Sequence, residues 1–197
     1  MPSDVAIRNV TVMDPTTQGT LLFTERSLWT MAHGIVFGGG ALMTLAAALF
    51  TVYMLHKSHG DVVLTAAHTK AVALLTTAIA AATWLTTLVG TYIVFPPYRA
   101  TPPEGTTALA AYPRTLILSN PATAWLHSFA METKEHVPWI AAMLATAVAF
   151  AAWRHRSALL TDPRLGRIVT SLLIVCFAIV AYVSLLGVFV NKVAPLE

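Results

Sequence analysis

The chain has 197 residues, of which 56% are hydrophobic and 11% charged, where ordinary soluble domains carry about 25% charged. Its mean hydropathy of +0.69 points to a bilayer, and the single cysteine, Cys176, excludes a disulfide scaffold. Twelve Lys and Arg against nine Asp and Glu leave a net charge of +3, too small and too scattered for a nucleic-acid partner.

Residues 1–27 lack the basic start and apolar run of a secretory signal, so they are expected to persist as a short polar strap. Beyond them lies the membrane domain, 28–197. A membrane-spanning helix needs about 20 mostly apolar residues. Four stretches satisfy this: 28–55, 66–95, 122–153 and 168–190. None alternates like a barrel strand, and four strands could not close a barrel. The expected fold is all-α: an integral membrane four-helix bundle made of two helical hairpins. Arg154, Arg156, Arg164 and Arg167 form one compact basic loop, whereas Arg8, Arg26, Arg99, Arg114, Lys134 and Lys192 are spread out on the other side. That asymmetry predicts both termini outside the cytoplasm, in a bacterial inner membrane.

The segment 96–121 holds Pro96, Pro97, Pro102, Pro103, Pro113 and Pro121, with Tyr92, Tyr98 and Tyr112 nearby. Proline lowers the entropy cost of ordering, so a stiff docking surface and a plain spacer are both compatible with it.

Ionisable groups inside a bilayer are functional candidates by default. His56, His59 and His155 sit beside Lys or Arg in loops and read as solvated. His68, beside Lys70 at a helix mouth, reads as structural. His33 lies about five residues, or roughly 7 Å, inside the first span. The third span is too long for the bilayer, and counting about 20 residues back from Trp153 puts its boundary near Lys134. His136 then falls at the depth of His33. On a helical wheel Ser128, Glu132, Glu135, His136, Trp139, Met143 and Thr146 share one arc of roughly 100°, expected to face the bundle. Lys134 is expected to snorkel to the interface. Gly34, Gly38, Gly90 and Gly187 lie at the same level, either as small-residue packing or as room for a flat ligand.

Two imidazoles on facing helices with glycines beside them suit a six-coordinate haem, and without a C-x-x-C-H motif it would be held non-covalently. On the His33 and His136 pair the chain resembles the broad class of four-helix membrane b-type cytochromes. That resemblance implies one haem b ligated by His33 and His136, with Gly34, Gly38, Gly90 and Gly187 making its slot and Glu132, Lys134 and Glu135 tuning it. It implies an electron-transfer subunit working between the quinone pool and an extracytoplasmic electron carrier. Two alternatives stand beside it. One is a non-catalytic accessory subunit of a larger respiratory or photosynthetic complex. The other is a copper protein using His127 and Met131, since thioether and imidazole ligands suit Cu(I).

Overall fold

Inside a bilayer no water is present to satisfy backbone N–H and C=O groups, so an apolar stretch must form its hydrogen bonds within itself. The computed structural model describes residues 24–57, 65–159 and 161–195, and all four apolar stretches are helices. They are α1 (Glu25–Leu55), α2 (Ala66–Tyr98), α4 (Leu126–Arg154) and α6 (Pro163–Val193), each long and apolar enough to cross a membrane. Two short helices lie between them, α3 (Pro113–Leu118) and α5 (Arg156–Leu159). Most of the N-terminal strap and His59 lie outside the described residues.

Helix ends follow local chemistry. The Thr24 hydroxyl accepts the Ser27 N–H at 3.2 Å, and the Asp162 carboxylate accepts that of Arg164 at 2.8 Å. Asp162 is followed by Pro163 in the first turn, where a missing N–H costs nothing. These caps extend α1 and α6 beyond the apolar runs that predicted them. Helix α2 also runs on, through Pro96 and Pro97, because its last α-helical turn starts afresh after Val94 and the prolines occupy its first positions. His68 Nδ1 accepts the Thr65 N–H at 3.1 Å, a capping role at the start of α2.

Consecutive long helices pack against one another, and α6 also touches α1. The contact faces are built from small residues. Ala141, Ala145, Val148 and Ala152 of α4 are buried, while Ile140, Met143 and Phe150 are exposed. Lipid tails are as apolar as large side chains, so close backbone approach rather than hydrophobicity selects the packed face. This reverses the expected orientation of α4: Ser128, Glu132, His136, Met143 and Thr146 lie on its exposed side. A π-helical stretch, Leu126–Met131, precedes that face and shifts its phase.

Two cores result. The larger, with Leu45, Val72, Ile79, Val148, Leu173 and Cys176, fills the half of the molecule nearer the four arginines. The smaller, with Tyr98, Ile117, Leu126, Met131, Leu186 and Val190, closes the end that carries Thr24 and Pro195. Two tryptophans tie α2 to α4 along their length: Trp84 Nε1 donates to Thr146 at 2.9 Å, and Trp153 Nε1 to Thr77 at 2.8 Å. Trp84→Phe and Trp153→Phe should each cost about 0.5–1.5 kcal/mol, the range for interhelical hydrogen bonds in membranes. Unfolding in mixed micelles would measure this, and a double variant as stable as the wild type would contradict it.

Candidate functional site

Between the two cores lies a cavity of about 370 Å³, within the roughly 300–1,000 Å³ of small-molecule pockets. All four long helices wall it. Ala141, Ile179 and Val180 stand on the side of the larger core, and Tyr98, Met131, Val190 and Ala194 on the side of the smaller. Ile35 and Val188 line it and are also 68% and 62% exposed, which puts its mouth between α1 and α6, facing lipid.

Three of the four long helices are locally underwound into π-helix here: Ala32–Gly38 in α1, Gly90–Val94 in α2 and Leu126–Met131 in α4. Such turns forgo regular α-helical bonding and occur frequently at functional sites. Each of the three contributes residues to the cavity wall: His33, Gly90 and Met131 among them.

Polar groups enter from two sides. His33 projects from α1, with its Nδ1 3.5 Å from the Thr86 hydroxyl. Its ring occupies the space left by Gly90, where an added Cβ would stand 2.7 Å from Cε1. Lys134 projects from α4 toward Gly187, where an added Cβ would stand 2.9 Å from Nζ. The two glycines of α2 and α6 thus admit a side chain each from the helix opposite. A Cβ added at Gly38 would stand 3.3 Å from the His33 carbonyl, and one added at Gly34 would meet nothing within 4 Å. Lys134 therefore points into the molecule instead of snorkelling out of it. Its one hydrogen bond goes to the Val183 carbonyl at 3.4 Å, and among the described residues it has no ion-pair partner. Thr83 and Thr87 also line the cavity, but their hydroxyl protons are taken by carbonyls one turn back.

Of the other predicted residues, Glu135 alone among the α4 carboxylates and His136 reaches the cavity wall. His136 is exposed, its Nδ1–H donating to the Glu132 carbonyl at 2.8 Å on the far side of α4 from the cavity. Glu132 is exposed, and Glu135 lines the cavity. His33 and His136 consequently do not face one another, and the pair does not fit a shared haem iron in this arrangement. His127 has both ring nitrogens engaged, Nδ1 with the Tyr98 hydroxyl at 3.0 Å and Nε2 with Arg114 at 3.3 Å. A guanidinium on Nε2 leaves no lone pair for copper, and Met131 is buried in the smaller core. Among the described residues no cluster of three or more His, Cys, Asp or Glu is arranged to hold a metal ion.

Comparison with family models, curated proteins and solved structures found no match. The chemistry must be read from the cavity itself. It offers donors from His33 and Lys134, apolar walls and a lipid-facing mouth, a combination suited to a membrane-dissolved molecule with hydrogen-bond-accepting oxygens on its head. The sequence missed Lys134 as an interior residue. The signal that would have found it was the spacing of alanines along α4, which puts Lys134 on the same face as Ala141 and Ala145.

Proposed function

We propose that the protein is a quinone-handling subunit of a membrane electron-transfer complex, taking a quinone-class lipid into the cavity between α1 and α6. The observation that carries this reading is Lys134: a cation held among four apolar helices that forms no ion pair among the described residues, although Glu135 lines the same cavity. Such a group is expensive in a bilayer and is kept where it contacts a ligand or pathway. A quinone supplies carbonyl oxygens for Lys134 and His33, a flat ring for the space between helices, and a tail that leaves through a lipid-facing mouth. The haem part of the sequence expectation is not carried into this proposal, because His136 faces away.

In this reading both termini lie outside the cytoplasm, following the arginine cluster around 154–167. The site then sits in the outer half of the bilayer, close to the proline-rich segment on which an extracytoplasmic electron carrier would dock. A role inside a larger assembly is favoured by the exposed side of α4. Glu132 and His136 there are poor company for lipid, so a neighbouring subunit is expected to cover them.

Titration with decylubiquinone tests the proposal, with tryptophan fluorescence as the readout. Trp84 and Trp139 form an edge-to-face pair with ring centroids 5.8 Å apart, next in sequence to the cavity residues Thr83 and Pro138. Saturable quenching is expected in the wild type. His33→Leu should bind about five- to tenfold more weakly, the worth of one hydrogen bond. Quenching that never saturates, or that His33→Leu leaves untouched, would overturn the proposal.

A further inference from the structure

At the end of the cavity closed by the smaller core, a buried phenol carries a proton with no acceptor among the described residues. Tyr98 lines the cavity and is only 6% exposed. Its ring is held by stacking on Phe95, with centroids 5.9 Å apart and planes 13° from parallel. Its hydroxyl has one hydrogen-bond partner among the described residues, His127 Nδ1 at 3.0 Å. The direction of that bond is fixed from the other side of the imidazole. Arg114 Nε always bears hydrogen, and it meets His127 Nε2 at 3.3 Å. Nε2 must therefore accept, which leaves the imidazole proton on Nδ1. The Nδ1–H then donates to the Tyr98 oxygen, and the phenolic proton is left over. Burying a hydroxyl donor without an acceptor is costly, and Tyr98 is one of the residues that line the cavity.

We infer that Tyr98 is a binding residue that donates its O–H to an oxygen of the cavity's ligand, with His127 and Arg114 as positioning residues that keep this proton turned inward. The inference rests on the cavity being a ligand site, as proposed above, and narrows the ligand class. The molecule carries acceptor oxygens in two places, one for Lys134 and His33 and one for Tyr98, as a ring with carbonyls on opposite edges does. A single-headed amphiphile such as a fatty acid leaves one end unmatched. The proline-rich segment thereby gains a role: it carries Arg114, which does not line the cavity but holds His127 against Tyr98.

Two measurements on the full chain in micelles test this. In ¹⁵N-histidine-labelled protein, His127 should show a protonated Nδ1 and a bare Nε2, and Arg114→Leu should release the ring toward the opposite tautomer. Any other state of His127 in the wild type overturns the inference, because the phenol would then donate to the imidazole or the Arg114 contact would be absent. In decylubiquinone titrations, Tyr98→Phe should weaken binding about five- to tenfold. Arg114→Leu should weaken it as well, although Arg114 does not line the cavity. Unchanged affinity in Tyr98→Phe overturns the inference and leaves the proposed function standing. A wild type that takes no decylubiquinone overturns the proposed function, and the inward donor then stands or falls on the ring signals.

Discussion

Lys134→Met should make the protein more stable and a worse binder at once. The ammonium is enclosed by four helices, and its only hydrogen bond among the described residues is a long one, 3.4 Å to the Val183 carbonyl. A lysine at bilayer depth costs about 2.5–3.5 kcal/mol by insertion measurements. Methionine keeps the length of the side chain and loses the charge, so about 2 kcal/mol of that cost should be recovered. For a chain of this size such a gain raises the melting temperature by roughly 4–8 °C. Affinity for decylubiquinone should fall at least about tenfold, because a hydrogen bond from a charged donor is worth roughly 1.5–3 kcal/mol. Stability gained as function is lost is the pattern of a residue retained for its site. A Lys134→Met variant that melts lower than the wild type would mean that the ammonium has a structural partner.

The second large effect is expected at Gly90. A Cβ there would come within 2.7 Å of His33 Cε1 and 3.2 Å of Nε2, so Gly90→Ala must push the imidazole out of its place. Overpacking of this kind costs about 1–3 kcal/mol. The ring is the tip of a rotatable side chain, so the fold should survive while His33 leaves the ligand. Gly34→Ala, on the same turn of α1 as His33 but with nothing within 4 Å, should leave both stability and binding close to wild type. Coupling makes the test specific. In a His33→Ala background, Gly90→Ala should cost little, because the clash is gone. Equal costs in both backgrounds, measured by micellar unfolding, would place the strain elsewhere.

The spans were legible in the sequence because backbone satisfaction in lipid demands long apolar helices and little else. Their ends were less so. Thr24, Asp162 and the prolines after Val94 extend three of the helices by capping and turn chemistry that a hydropathy reading does not register. The sequence puts His33 and Gly90 at one level, and in the structure the His33 ring fills the space left by Gly90. The facing of α4 was misread for a physical reason. Polar residues mark the solvent side of a helix in water and were therefore expected to mark the interior in lipid. In α4 the small residues Ala141, Ala145 and Ala152 set the packed face, and the arc carrying Glu132 and His136 followed by exclusion. The π-helical turns have no signature in hydropathy or helical period and were not legible in the sequence.

The central claim is that a ligand carbonyl meets Lys134 inside the bundle, and infrared spectroscopy of a bound quinone ¹³C-labelled at a single carbonyl reads that contact directly. A hydrogen bond from an ammonium weakens the C=O bond, so one labelled carbonyl should absorb at lower frequency in the protein than in empty detergent micelles. In Lys134→Met, at saturating quinone, that band should return to its micelle position. A labelled carbonyl with the same frequency in wild type, variant and micelles would show that no such contact exists, and the cavity would then not be the quinone site described above.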